Sequence, residues 1–233
     1  NLTSIGEADV VAAHQAGGQT CVQVFFFRNG ANFGNRAYFP SHAQGDEPAA
    51  VLEAFLEEIA RISQPAVLLP GNHDLYDDNS LYQREVFQHK PDNLHIITQT
   101  DGEALSFPEL TLEVWGRAML SHTPAFRPLE GMPTQRNGHW MVALAHGHFH
   151  FDDDRDQRSS PIYPPEIAAA PCDYLALGHW DRHVDVSQGR VTAVYSGTAR
   201  GSSPRDPLGE VTVVDLTPPE AVTFYQADLQ AGL

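Results

Sequence analysis

Short apolar runs, each ending in a cluster of glycine, histidine and other polar residues, constrain the fold of this chain more than any other feature. Three of them read VLLPGNHD from Val67, VALAHGHFH from Val142 and DYLALGHWDRH from Asp173. Runs this short and apolar are typical of buried strands, and glycine or proline near their ends stops them. Open α/β sheets bind ligands at the carboxyl ends of their strands. The sequence therefore predicts an α/β domain whose functional residues follow strands.

The spacing of apolar residues predicts the surrounding elements. Val51, Phe55, Ile59 and Ile62 recur at intervals of four, four and three, which indicates an amphipathic helix over residues 48–62. A strand at residues 66–69 follows it. Further strands are predicted at residues 94–97, 110–115, 141–145, 174–177, 191–195, 211–215 and 222–225, with long loops at 123–138 and 152–165.

The first forty residues follow no such pattern. A helix over residues 9–15 and a strand over residues 20–27 are both compatible with the sequence. The stretch FFFRNGANFGNRAYF, from Phe25 onward, mixes aromatic and polar residues without a clear period. We expect a single domain over residues 1–233 with an atypical segment at residues 1–40.

Composition limits the classes of partner. The chain has 14 Lys and Arg against 30 Asp and Glu, a formal charge of −16, which disfavours a broad basic face for nucleic acid. Two cysteines are too few for a disulfide framework and favour a reducing, cytoplasmic location. No apolar run approaches the roughly 20 residues that span a bilayer, and the first residues lack the pattern of a signal peptide. We expect no membrane partner.

Histidines and one asparagine at strand ends suggest a metal site. A neutral imidazole nitrogen binds Mn, Fe or Zn, and an amide oxygen suits the harder of these cations. Asn72 and the histidines that end the later two runs would together form a mixed nitrogen and oxygen site.

The order GNHD, then a strand ending in His-Gly, then a strand ending in Gly-His, resembles the calcineurin-like metallophosphoesterase superfamily. Within residues 48–197, the stretches VLLPGNHD, VWGRA, DYLALGHW and YSGT are most similar to the SbcD-type DNA-repair exonuclease branch. The resemblance implies a layered metallophosphoesterase-like β-sandwich flanked by helices. It also implies metal-dependent phosphodiester hydrolysis on DNA, one or two divalent ions with Mn foremost and Fe or Zn as alternatives, and a partner subunit in a nuclease complex.

Residue by residue, the resemblance implies that one metal is bound by Asn72, His146 and His179. It makes His73 the residue that faces the leaving group, and Asp74 the residue that orients His73. An imidazole held by a carboxylate has a defined tautomer and can donate a proton to a departing oxygen.

Two stretches compete for the last motif of that family, Gly-His-x-His. GHFH at residues 147–150 matches literally, but GHWD at residues 178–181 has the expected neighbours, so it is the preferred assignment. Asp181 then stands where a histidine is usual, and a carboxylate can bind the same metals. His148, His150 and His183 remain reserve candidates.

Two motifs of the same family are missing upstream, the D-x-H pair and the Gly-Asp whose carboxylate bridges two metals. Gly45-Asp46 spells the second pair, but its place just before the helix favours a cap or loop. Three explanations stay open: the chain begins after the D-x-H strand, its first forty residues are wrongly assigned, or one metal site has been lost. A two-metal mechanism needs the bridging ligand, so fewer than two ions are expected.

Two other functions remain open beside a DNA nuclease. A small-molecule phosphodiesterase or phosphatase needs no basic groove and suits the acidic chain. A degenerate, non-catalytic phosphoesterase fold retained for binding would explain the missing carboxylate.

Overall fold

The structure is a computed structural model. It describes residues 7–16, 19–28, 31–38, 48–134, 137–151, 154, 158–197, 209–217 and 221–229. Gly45-Asp46 lies outside the described residues. For the first three strands only the backbone course is described.

Fifteen strands and three α-helices are assigned within the described ranges. The strands are β1 (Glu7–Ala16), β2 (Gln19–Arg28), β3 (Ala31–Tyr38), β4 (Ala66–Leu68), β5 (Leu94–Ile96), β6 (Glu103–Phe107), β7 (Leu112–Gly116), β8 (Trp140–His146), β9 (His148–Phe149), β10 (Pro161–Ile162), β11 (Tyr174–Gly178), β12 (His183–Asp185), β13 (Thr192–Ser196), β14 (Gly209–Thr217) and β15 (Ala221–Leu229). The helices are α1 (Pro48–Ala60), α2 (Glu85–Gln88) and α3 (Pro164–Ala169), and 3-10 turns cover Leu81–Gln83 and Pro108–Leu110.

A six-stranded mixed sheet forms the centre of the described structure. Its strand order is β12-β13-β11-β8-β7-β6. The four inner strands run parallel, and the two edge strands, β6 and β12, run antiparallel to their neighbours. Because β7, β8, β11 and β13 are parallel, their carboxyl ends lie along one edge of the sheet. The strands predicted at residues 110–115, 141–145, 174–177 and 191–195 are confirmed to within two residues at each end.

The main core packs against this sheet. Ala143, Leu175 and Ala193 on adjacent inner strands are fully buried, as are Ile162 and Ile167 from β10 and α3. Small and large side chains alternate across the inner strands, which lets neighbouring layers interdigitate. The burial of these strands on both faces explains why they read as apolar runs.

A second, smaller apolar cluster lies around α1 and the parallel pair β4-β5. Ile59 and Ile62 of the predicted helical stripe pack in this cluster with Leu94, Phe55 packs against it, and Leu56, which was not part of the stripe, joins it. The Asn93 side chain lies part-buried beside the end of α1 and donates to the carbonyl oxygens of Ile59, Ile62 and Gln64. The predicted helix at residues 48–62 is confirmed, two residues shorter at its end.

The N-terminal segment forms an antiparallel sheet in the order β1-β2-β3. The helix that residues 9–15 could have formed is not found, because this stretch lies in β1 and pairs along its whole length with β2, whereas the possible strand over residues 20–27 is found in β2. Residues 8–16 carry no turn signal and no clear helical stripe, so strand pairing decides their conformation. Among the helices described, none has both the length and the apolar character needed to cross a bilayer.

Candidate functional site

Asn72, His146 and His179 converge at the carboxyl edge of the parallel strands. His146 is the last residue of β8, and His179 directly follows β11. The register pairs His146 with Gly178, which places the two imidazoles side by side, with ring centroids 5.4 Å apart. The Asn72 Oδ1 atom lies 2.6 Å from Nε2 of His146 and 3.3 Å from Nδ1 of His179. Three of the four predicted metal ligands therefore meet at one point.

Two glycines make room for the ring of His146. A Cβ atom at Gly71 would lie 2.7 Å from Cε1 and Nδ1 of His146, and one at Gly178 would lie 2.8 Å from the same Nδ1. Real Cβ atoms do not approach that closely. Both motif glycines, in GNHD and in GHW, are therefore explained by close packing around one imidazole.

His179 has an unusual backbone conformation, with φ at 117°. Non-glycine residues rarely adopt this region, and such conformations cost on the order of 1–3 kcal/mol. Strain of this kind persists where the surrounding structure holds a side chain in a required direction. Here it aims the imidazole of His179 at Asn72.

The two imidazoles are kept neutral by their surroundings. Burial, followed by the neighbouring His179, lowers the pKa of His146 to about 4. Burial and the nearby His122, His148 and His73 also lower the pKa of His179, although Asp181 opposes this. A neutral imidazole keeps a lone pair for a metal, so these shifts suit cation binding.

Asp74 stabilises the loop that carries Asn72. Its Oδ1 accepts from the backbone N–H of Gly71 at 2.9 Å, and its Oδ2 accepts from the hydroxyl of Tyr82. Both oxygens are thus engaged by groups other than His73, so these contacts do not show the predicted orientation of His73 by Asp74. What they show is a carboxylate that closes the turn from Gly71 to Asp74.

His73 is exposed and projects beside the cluster. It is close enough to His146 and His179 to lower the pKa of both. An accessible imidazole next to a cation site has the position that a proton donor to a leaving group needs. Its catalytic role stays a prediction.

His122 belongs to the cluster although the sequence analysis did not select it. Its ring lies against that of His179, with centroids 5.5 Å apart, and its Nε2 atom is buried without a hydrogen-bond partner. The residue lies in a loop after β7, in the stretch LSHTP from Leu120. It lies six residues beyond Gly116, the last residue of β7, so it is not a residue at the end of a strand.

The other histidine candidates contact different parts of the structure. His148 contacts His179, with ring centroids 5.9 Å apart, and His150 contacts His148 and stacks on Tyr163. His183 lies at the β14-β15 hairpin, beside Thr212 and Phe224. Asp181 is exposed, and its charge opposes the lowering of the pKa of His179 by burial. Of the two competing motifs, the GHFH stretch thus brings His148 to the cluster, and the GHWD stretch brings His179.

The side chains of Asn72, His146 and His179 offer the kinds of atoms that a divalent cation binds. Within the described ranges, no group of three or more His, Cys, Asp or Glu side chains is arranged to hold a metal ion. Asn72, His146 and His179 supply two nitrogens and one amide oxygen instead. Ligands about 2.1 Å from a cation and at right angles lie about 3.0 Å apart, which is close to the 2.6 and 3.3 Å found here. These residues fit a cation that completes its shell with water or substrate.

Comparison with known proteins finds similarity to a different family. The family described as UvrC Ribonuclease H-like domain matches residues 7–110. A UvrABC system protein C of Rhodospirillum rubrum is 68% identical over 56 residues, which cover 24% of this chain and 9% of that protein. The corresponding protein of Maricaulis maris is 40% identical over 98 residues, 39% of this chain and 16% of that protein.

The match to the UvrABC system protein C of Brucella abortus is longer. The two are 35% identical over 136 residues, which cover 57% of this chain and 22% of that protein. The chain thus spans less than a quarter of the length of these three relatives. The family match includes Asn72, His73 and Asp74 and ends before His146 and His179.

The prediction of a calcineurin-like metallophosphoesterase is therefore wrong, since the matches are to UvrC proteins. The motifs behind it are short strings at strand ends, and open α/β sheets place polar residues there whatever their family. The absence of a D-x-H pair and of a Gly-Asp at a strand end already departed from that family. The family match begins at residue 7, in the N-terminal segment that carries none of these motifs.

Proposed function

We propose that this chain is a nuclease that hydrolyses phosphodiester bonds in DNA with the help of a divalent cation. The matches to UvrABC system protein C support action on DNA and work alongside partner proteins of a repair system. The matched relatives are much longer than the aligned regions, so other parts of such a protein would contribute to substrate binding.

The observation that carries the proposal is the convergence of Asn72, His146 and His179. Two neutral imidazoles and an amide oxygen point at one another across 2.6 and 3.3 Å. Nε2 of His146 and Nδ1 of His179 can both hydrogen-bond to the Asn72 oxygen only if each of these two nitrogens carries the proton of its ring. A cation bound between the three atoms would instead accept a lone pair from each of them.

Each side chain then has a distinct task. A divalent cation bound here would polarise a phosphoryl oxygen and lower the pKa of a bound water. Asn72, His146 and His179 would hold it. His73, exposed beside them, would donate a proton to the oxygen of the departing strand. Asp74 would keep the loop in place through Gly71 and Tyr82.

The charge of −16 bears on the substrate. An acidic chain repels a polyanion at long range, so a partner protein with a basic surface would have to bring DNA to the site. The same charge favours a second candidate, hydrolysis of a small phosphodiester, which needs no extended basic groove.

The test uses the purified chain with fluorescently labelled DNA and with bis(p-nitrophenyl) phosphate. Each substrate is incubated with EDTA and with Mn²⁺, Mg²⁺ or Zn²⁺, and bound metal is measured on the same samples. We expect cation-dependent cleavage of DNA. Hydrolysis of the small ester alone would select the second candidate, and folded protein with no activity under any cation would overturn both.

A further inference from the structure

A continuous stack of aromatic rings runs from the core to the surface beside the histidine cluster. The rings of Tyr195 and Trp180 stack with centroids 4.4 Å apart and planes 17° apart. Trp180 and Phe151 stack in turn at 5.8 Å and 22°. Tyr195 is fully buried, whereas Phe151 is 44% exposed. We call these three residues the aromatic stack.

The stack is held rigidly at its inner end. The hydroxyl of Tyr195 donates to the carbonyl oxygen of Gly147 at 2.7 Å, which ties it to the turn between β8 and β9. The indole N–H of Trp180 donates to Nδ1 of His148 at 3.3 Å. Aromatic side chains preset in this way lose little conformational entropy when a ligand stacks on them.

The same contacts place the stack next to the candidate site. His148 packs edge-on against Trp180, with centroids 5.4 Å apart, and against His179 at 5.9 Å. His148 therefore bridges the stack and the proposed cation ligand. A ligand lying on Phe151 would have its neighbouring groups within reach of the cluster.

One exposed arginine lies beside the stack, among the acidic residues Asp154 and Asp181. Arg182 is exposed, and its guanidinium lies 5.8 Å from the centre of the Trp180 ring. Such an arginine can pair with a phosphate while it remains over the ring. Asp154 accepts from the backbone N–H of Phe151 at 3.0 Å, which holds Phe151 in place.

We propose that the aromatic stack binds an unpaired nucleobase of the DNA strand on the exposed ring of Phe151. The inference rests on the proposed action on DNA and specifies its substrate: a single-stranded or locally unpaired segment. Every nucleobase has a π face, so such a surface accepts bases without sequence preference. Stacking acts at short range, which suits a chain whose net charge repels DNA at a distance.

The test measures binding by fluorescence anisotropy in EDTA, which prevents hydrolysis. The probes are a labelled single-stranded oligonucleotide, its abasic counterpart and its duplex. We expect the chain to prefer the normal single strand over both others by about tenfold or more, the range of one stacked base. Phe151→Ala should remove most of the preference over the abasic strand, and Phe151→Trp should restore it.

Tyr225→Ala is the matched control, because Tyr225 is an aromatic residue with a similar exposure of 45%. It should leave the preference for normal over abasic DNA unchanged. Raising the salt concentration should change binding to the normal and abasic strands by the same factor and so keep the ratio between them, since stacking releases no counterions. Free thymidine monophosphate should compete poorly if the ligand is a strand rather than a nucleotide.

Three results would overturn the inference: equal affinity for normal and abasic strands, an unchanged preference in Phe151→Ala, or an equal loss in Tyr225→Ala. Cleavage of DNA without any preference for unpaired bases would reject the stack and leave the proposed nuclease standing. A preference for bases without hydrolysis would reject the nuclease and leave the stack as a binding site.

Discussion

The two sides of the candidate site are built differently. His146 and His179 lie at the ends of adjacent parallel strands, and their positions follow from the register of β8 and β11. Asn72 and His73 lie in the loop after β4, whose course is stabilised by the hydrogen bonds of Asp74 to Gly71 and Tyr82. One side is held by backbone pairing and the other by a few side-chain contacts.

This difference separates positioning from reactivity. The sheet side is part-buried, and its imidazoles have lowered pKa values through burial. The loop side exposes His73 to solvent and substrate. Ligands that must stay in place gain from a rigid sheet, and a proton donor that must reach a substrate gains from an accessible loop. Substitutions on the two sides should therefore have different consequences.

The largest effect is expected for His179→Ala on the sheet side. Removing one of three ligands should lower metal affinity by at least about 100-fold and reduce hydrolysis with it. Metal content and rate are measured on the same samples. His89→Ala, which changes an exposed histidine at the end of α2, is the control. Full rate and full metal content in His179→Ala would exclude this cluster as the active site.

On the loop side, His73→Asn should separate rate from metal content. A group that transfers a proton in the transition state contributes about 10²–10⁴-fold, so the rate should fall by that factor. Bound metal should stay near its wild-type level, because His73 is not among the three ligands. Loss of metal in parallel with rate would instead make His73 a ligand and erase the distinction between the two sides.

A smaller effect is expected for Tyr82→Phe, which weakens the support of the loop. Burial and the neighbouring Asp74 raise the pKa of Tyr82 well above its usual range, so the hydroxyl stays protonated and donates to Asp74. Its loss should reduce the free energy of unfolding by about 1–3 kcal/mol. Urea denaturation measures this change. An unchanged midpoint would show that the hydrogen bond to Asp74 does not stabilise the loop.

The smallest effect is expected from comparing His179→Gly with His179→Ala. Both remove the imidazole, but glycine adopts the φ of 117° without strain. Glycine also increases the conformational entropy of the unfolded state, which destabilises the folded protein. Because the relief of strain is expected to be larger, His179→Gly should be more stable than His179→Ala by about 1 kcal/mol. Thermal unfolding of the two variants without metal measures the difference. A less stable glycine variant would contradict strain at this position.

Strand-end reasoning located most of the cluster for a physical reason. Buried parallel strands must be apolar along their length, so their ends are visible in the sequence. Polar residues at those ends meet because parallel strands finish at one edge of the sheet. Asn72 and the histidines that end the later two runs were selected in this way, the resemblance singled out His146 and His179 among them, and the structure brings these three residues together.

Strand-end reasoning does not reach a residue that lies well beyond the end of a strand. His122 lies in a loop, and only the fold brings its ring to His179. The resemblance implied that Asp74 orients His73, which stays a prediction; the oxygens of Asp74 accept from Gly71 and Tyr82. The family assignment also failed, because strand-end motifs are common to many folds, and the family match includes the first forty residues, which carry no such motif.

The sequence by itself determined the four inner strands of the central sheet, the amphipathic helix α1 and the strand-end positions of the cluster, because hydrophobic periodicity is a local property of the chain. Tertiary structure alone decided which imidazoles touch, how close Gly71 and Gly178 come to His146, and that Phe151, Trp180 and Tyr195 stack. These contacts join residues from different strands and loops. Their geometry depends on strand register and packing, which no local pattern in the chain records.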